Sequence, residues 1–507
     1  MAVFAFAANA QPSIVLLGGK IFTNDPAHPF VEALAIKGDT ILAAGTEKDI
    51  RALGTTANTR SIDLGGAVVI PGINDAHTHP GVGPVGLRIG TDRNSTAATL
   101  AAALAAAVEE SSPDIWLIGE IGRPIMLDES VNRARLDQLA PSRKVLLRSF
   151  TGHGTILSSS ALQDLGIADN VADPPGGRYG RNADGTLNGR LFEYAEYAAI
   201  RKISQLTAVP GDLVQSLRDL NDQALRFGIT SIQAMPFDED SATFRDALRE
   251  ADIPLRVRHI FVPLSTTLPR SIVPRATHGI KWVLDGTPIE KGAAVGTPYP
   301  DGGGNGTLNF TDLTPLLRAG ETPGEQLLFH ASGDRAIAAL LNAMQASGVK
   351  WPPRRPRIEH ADGLLRGLEA QAKSLGVVAV LNPSHFEARP LFPADKYMRA
   401  KSLLAIPIRI AIGSDGPLNP YLNIMLAVNR PDLPAEALTR EEAVTAYTLG
   451  SAYAEMRDDK GVLAPGKLAD LAVLSQDIFT CPVSRLPDTV SVLTIIGGKI
   501  VLERAAP

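Results

Sequence analysis

Residues 71–80 read Pro-Gly-Ile-Asn-Asp-Ala-His-Thr-His-Pro, directly after the apolar run Ala67-Val68-Val69-Ile70. On a strand, residues i and i+2 point to the same side. His77 and His79 then aim both imidazoles into one space, as two ligands of one metal ion must. Asp75 shares their parity and is placed to support them. A buried strand that ends this way needs neighbouring strands to complete the site.

The middle of the chain supplies them. Segments at 67–79, 145–150, 229–235, 280–285, 326–330, 357–360, 377–382 and 409–414 read as strands, several of them continuous apolar runs. Helical patterns fall between them, for example over 212–227, 334–347 and 364–375. Alternating strands and helices predict a parallel sheet buried on both faces, and eight such units predict a closed barrel. Two further strand candidates, 115–120 and 255–262, spoil a clean count, so one or both belong to an insertion. The alanine-rich stretch 97–108 reads as a short helix. The Gly/Pro-rich segment 173–189 and the segment 298–307 read as excursions over the barrel mouth.

The two ends look like partners. Residues 14–22 and 492–501 each read as an apolar strand, a Gly-Gly turn and another strand. The expected fold is therefore α/β: a (β/α)8 TIM barrel with a small composite β-sandwich built from both termini. Residues 13–70 and 461–507 form the sandwich in this reading. Residues 71–460 form the barrel, with loop insertions around 90–225.

Charge and composition exclude several classes. A net charge of −5, with no cluster of Lys and Arg, argues against nucleic acid as a partner. No apolar run is long enough to span a bilayer. The single cysteine, Cys481, rules out an intramolecular disulfide and multi-thiolate metal sites. Residues 1–12 resemble the remnant of a secretory signal, with Ala8-Asn9-Ala10 as a small-x-small cleavage site but no basic region before it. This favours a periplasmic or secreted protein, with a cytoplasmic one as the alternative.

Active-site residues of barrels sit at the C-terminal ends of strands. Those ends carry His77, His79, Asp285, His330, His360 and Asp415, with Lys281 inside its strand. Four histidines and an aspartate offer ligands for zinc or a similar divalent ion. A buried lysine is costly while charged. Deprotonated, Lys281 can take up carbon dioxide as a carbamate, a bidentate anion able to bridge two metals. Taken singly, each residue has an ordinary alternative in packing, a turn or a snorkelling side chain. Their joint placement at strand ends favours one site.

The strings Pro71 to His79, Lys281-Trp-Val-Leu-Asp-Gly-Thr-Pro288, His330-Ala-Ser-Gly-Asp-Arg-Ala336, Arg357-Ile-Glu-His360, Gly413-Ser-Asp-Gly-Pro417 and Leu463 to Leu471 run through the chain in order. In these the chain resembles the amidohydrolase superfamily, and within it amidohydrolase family 3. The resemblance implies a metal centre in which His77 and His79 bind a first ion, His330 and His360 a second, and carboxylated Lys281 bridges them. Asp415 would touch the metal and move protons. The family's Asp-Gly-His string is here Thr151-Gly152-His153, with Ser158 where an Asn often follows. That departure implies a changed substrate pocket.

The expected reaction is hydrolysis of a carbon–nitrogen bond, amide-like and not peptidic, by a water that the metal activates. Asp415 acts as base and then acid, while His153, Asp285 and Glu193 orient the substrate. The cofactor is a divalent metal, zinc first, with one or two ions per chain. The partner is a small amide-like molecule, and a homodimer is the expected assembly. Open alternatives are a mononuclear deaminase or esterase on the same scaffold, a non-catalytic ligand-binding homologue, and a structural or partner-binding protein.

Overall fold

The expected strand over 67–79 is two strands. The computed structural model describes residues 11–266, 279–318, 325–365, 367–393 and 397–504. In it, Val68–Pro71 joins one sheet and Ile73–Thr78 another. Gly72 lies between them, and a Cβ there would sit 2.2 Å from the Thr230 hydroxyl. Only glycine allows that approach, so the chain passes from terminal sheet to central sheet at this residue.

Eight parallel strands form the centre. Arg256–His259, Ile229–Ala234 and Ile73–Thr78 make a three-stranded sheet in that order. Ile280–Val283, Leu327–Ala331, Arg357–His360, Val378–Leu381 and Arg409–Ile412 make a five-stranded one. A parallel bridge between Phe261 and Ile280 links the two. At the opposite edges the Asp415 N–H donates to the His77 carbonyl at 2.9 Å. Gly413 packs there so closely that a Cβ would lie 2.4 Å from the His77 nitrogen. Amphipathic helices cover the outside. Asp212–Arg226 buries Val214, Leu217, Ala224 and Leu225, a spacing that keeps one stripe inward.

The expected strand membership needs one exchange. Arg256–His259 belongs to the central eight, and Val145–Ser149 does not. Val145–Ser149 lies in a six-stranded sheet ordered Gly177–Arg181, Leu187–Glu193, Gly154–Leu157, Val145–Ser149, Leu117–Ile121 and Leu87–Arg88. Its alternate residues feed two cores. Val145 and Leu147 pack with Leu100 and Leu104 of the Ala97–Glu110 helix, and Leu146 packs with Ala161 and Leu162 on the other face. A strand covered on both faces reads the same in any sheet, so periodicity did not distinguish them. The insertion is thus a folded layer with its own cores. The 173–189 segment supplies its outer hairpin, Gly177–Arg181 with Leu187–Glu193, in place of a mouth loop. Of the expected helix 364–375, the helical part is Glu369–Ser374.

Two further sheets combine the ends of the chain. One is ordered Thr40–Gly45, Ala33–Lys37, Ile14–Leu17, Arg60–Asp63. The other is ordered Lys499–Glu503, Ser491–Ile496, Leu471–Leu474, Val68–Pro71, Lys20–Phe22, Phe30–Val31. Leu16, Leu34 and Ile41 from the first share one apolar cluster with Val69, Leu471 and Ile495 from the second. The two Gly-Gly pairs differ in use. Gly497 and Gly498, at φ of 56° and 69°, close a two-residue hairpin. Gly18-Gly19 instead carries the chain from one sheet to the other. Residues 1–10 of the expected signal remnant lie outside the described residues. Among the described residues no helix is long and apolar enough to cross a membrane.

Candidate metal centre

His77 sits near the end of Ile73–Thr78 and is fully buried. Its Nδ1 lies 2.6 Å from a Glu359 carboxylate oxygen, which only accepts, so Nδ1 carries a proton. His79 follows the strand, and its Nδ1 donates to the Met235 carbonyl at 2.7 Å. Both remaining Nε2 atoms face each other at 3.1 Å. Neutral imidazoles so fixed present two lone pairs to one point. A cation resolves that repulsion, and the Lys281 Nζ already lies 2.9 Å from His77 Nε2.

The other strand ends converge on the same place. Asp415 Oδ1 lies 3.3 Å from His79 Nε2, and Oδ2 lies 3.7 Å from His77 Nε2 and 3.8 Å from His360 Nε2. His77, His360 and Asp415 each offer a ligand atom within 4.8 Å of the others. The His360 and His330 rings are 4.4 Å apart between centroids. His330 Nε2, however, faces the Gly286 carbonyl and Asp285, at 3.5 and 3.8 Å. His360, Ala361 and Asp415 hold positive φ of 69°, 53° and 38°, and non-glycine residues sit there only when packing compels it.

Burial leaves this cluster short of protons. It lowers His77 to about 4, helped by the charge of Lys281. It also lowers His330 and His360 well below the usual histidine value, and Lys281 to about 8. Burial opposes the charge on Asp415 too, but the His77 and His79 rings outweigh it and hold the carboxyl well below its usual value. Neutral imidazoles and a carboxylate are the forms that bind a divalent cation, and Lys281, lowered to about 8, gives up its proton more readily than an ordinary lysine. The donor set fits zinc or a similar ion.

The remaining expected residues divide. His153 lies between two strands of the insertion, with Nδ1 3.0 Å from Glu193 and Tyr197 donating to Glu193 at 2.9 Å. Glu193 has a φ of 55°, outside the range most side chains adopt. Asp285 is a correction. It is fully buried, and its carboxylate accepts backbone N–H groups of Ala294, Ser332 and Gly333. Its acceptors are engaged in holding two loops, and it lines neither of the cavities that meet at the cluster. Asp75 likewise supports the histidines only through backbone, accepting from the N–H groups of His77 and Ser414.

Two cavities meet at the cluster. One, about 380 Å³, is lined by Arg148, Tyr197, Phe237, Lys281 and by His79, with His77 outside the lining. The other, about 840 Å³, reaches Ile289, Leu391, Met398, Leu422 and Leu426. His153, His330, His360 and Asp415 line both. Sequence reasoning missed Glu359, Arg357, Tyr197 and Glu290. Glu290 accepts from the Ser149, Thr151 and Thr287 hydroxyls and so clamps the His153 loop to the central domain. The signal for the first pair was present: Arg357 and Glu359 stand two apart on the strand Arg357–His360 and so share one of its faces. His385 donates to the Asp415 carbonyl at 2.9 Å and stacks on His360.

Known proteins share this architecture. Residues 60–502 match the model of a family described as the amidohydrolase family. The protein YtcJ of Bacillus subtilis (strain 168) is 28% identical, over 96% of this chain and 99% of its own. N-substituted formamide deformylase of Arthrobacter pascens is 24% identical, over 97% and 98%. A metal-dependent hydrolase from Pyrococcus horikoshii, known from its crystal structure, superposes with a TM-score of 0.66 at 20% identity, covering 93% of this chain and 99% of that one.

Proposed function

Because this chain belongs to the amidohydrolase family, we propose that it hydrolyses a non-peptide carbon–nitrogen bond of a small amide-like molecule with one or two divalent metal ions, zinc first. The observation that carries the reading is the pair of Nε2 lone pairs of His77 and His79 facing one point, beside His360 and Asp415. We read the eight parallel strands as one closed barrel, over residues 71–460. The two terminal sheets, from 13–70 and 461–507, make one composite sandwich.

His77, His79, His360 and Asp415 would hold the first ion and His330 a second, with Lys281, once carboxylated, bridging the two. When bound, such an ion supplies a Lewis acid and lowers the pKa of a water it holds. The chain's own residues do the rest. Asp415, ionised and at the junction of both cavities, takes a proton from the attacking water and delivers it to the leaving nitrogen. The amide and water become a carboxylic acid and an amine. His153, held by Glu193 and Tyr197, meets the substrate from the insertion side. Phe237, against the His79 ring at 4.9 Å, keeps bulk water off that flank.

A mononuclear centre is the second reading. It is favoured by the turn of His330 Nε2 away from the cluster, toward the Gly286 carbonyl. Metal content per chain, measured on protein purified without added metal or chelator, tests both. Two ions support the bridged centre, and one supports the mononuclear centre. The same protein should release amine from a panel of N-formyl and N-acyl amides and lose that activity reversibly on chelation. Retained turnover in metal-free protein would refute the proposal. With two ions, Lys281→Ala should lower the affinity for the second by about tenfold or more, and added short carboxylate should partly restore activity.

A further inference from the structure

We propose that Glu359 is a positioning residue that sets how tightly the centre holds its first ion, acting through His77. The inference rests on the metal-dependent reading above and assigns an unequal strength to its histidines. What distinguishes them is the partner of the ring nitrogen that does not face the cluster. His79 gives its Nδ1 proton to a neutral carbonyl, that of Met235. His360 Nδ1 is buried without a hydrogen-bond partner. His77 alone of these three gives its proton to a carboxylate, at 2.6 Å, with both residues fully buried.

That carboxylate is itself fixed. Arg357 donates from Nε to Glu359 Oε1 at 2.8 Å and from Nη2 to Oε2 at 2.9 Å. Arg357 Nη2 also donates to the Ala76 carbonyl at 2.7 Å, and Nη1 donates to Gln233. The guanidinium thus ties Glu359 back to the very strand that carries His77. An anion on the distal N–H fixes the imidazole tautomer and makes the facing nitrogen a stronger donor. The paired arginine lets that anion exist in a dry interior and holds its plane through two parallel hydrogen bonds. His77 is therefore the anchoring ligand, and His79 and His360 are weaker.

The test is Zn2+ and Co2+ affinity of the metal-stripped full chain by chelator competition, together with the visible spectrum of the Co2+ form. Glu359→Gln keeps a hydrogen-bond acceptor and removes the charge. It should weaken the first ion by about 10- to 100-fold and shift the Co2+ bands. Since that variant leaves Arg357 without its counter-charge, a second variant, R357M/E359Q, removes both charges and should weaken binding by a similar factor. Unchanged affinity per folded chain and an unchanged spectrum in both variants would overturn the inference while leaving the metal-dependent reading standing. A wild-type chain that binds neither ion would overturn both.

Discussion

The His153 and His330 rings lie 4.5 Å apart between centroids, yet their surroundings move their protons in opposite directions. His330 belongs to the central strands, where burial, reinforced by neighbouring rings and Lys281, lowers it well below the usual value. His153 belongs to the insertion. Burial opposes its charge as well, but Glu193 outweighs that and raises it to about 9. Desolvation acts on both, so the nearest charge decides. The central cluster is prepared for a cation, while the insertion presents one of its own. On the proposed reading, a reacting group between them would meet a Lewis-acid side and a hydrogen-bonding side.

The comparison breaks most visibly at Asp415, the carboxylate of the central cluster. Asp415→Asn keeps a ligand oxygen but cannot carry a proton. Turnover should fall by at least ~100-fold, the usual contribution of a general acid or base, with metal content retained. Full activity in this variant, with metal in place, would remove Asp415 from proton transfer.

The two regions also differ in how far the sequence reveals them. His77, His79, His330, His360 and Asp415 were legible because each falls at or just past the end of a strand, where a parallel barrel gathers its chemistry, and Lys281 because a lysine stands inside the otherwise apolar strand Ile280–Val283. The insertion was not. Val145–Ser149 is as apolar as a barrel strand, and only its partners, Leu117–Ile121 and Gly154–Leu157, assign it elsewhere. Asp285 showed the opposite failure. Its position at a strand end suggested the pocket, but three backbone N–H groups from distant loops claim its carboxylate. Glu359 was visible as a charge beside His360. Its contact with His77 depends on which strand ends face each other across the centre, and local spacing does not encode that.

A second effect concerns stability against pH in the insertion. His153 rises from an ordinary 6.5 to about 9 on folding. A base whose pKa is raised contributes stability that is fully present below pH 6.5 and is lost as pH climbs through 9. At 1.36 kcal/mol per pH unit, about 2 kcal/mol should disappear between pH 6 and 8.5. Denaturant unfolding of wild type and His153→Gln across that range measures it. The variant's slope should be shallower by about that amount, and equal slopes would mean that Glu193 does not hold a proton on His153.

The smallest effect separates the two regions most sharply. Glu193→Gln leaves a hydrogen-bond acceptor for His153 and Tyr197 but removes the charge that keeps His153 protonated. A hydrogen bond to a charged group is worth about 1.5–3 kcal/mol. If His153 offers its free N–H to the substrate, losing that charge should lower kcat/KM by roughly tenfold near neutral pH. The loss should grow as pH rises, because the variant's imidazole releases its proton earlier. Metal content should not change, since Glu193 reaches neither His77 nor Asp415 through any hydrogen bond of its own and contacts His153 and Tyr197 instead. A fall in metal content alongside the rate would show that the insertion helps build the metal centre. A rate and pH profile identical to wild type would leave His153 a packing residue, and the central cluster would carry the chemistry alone.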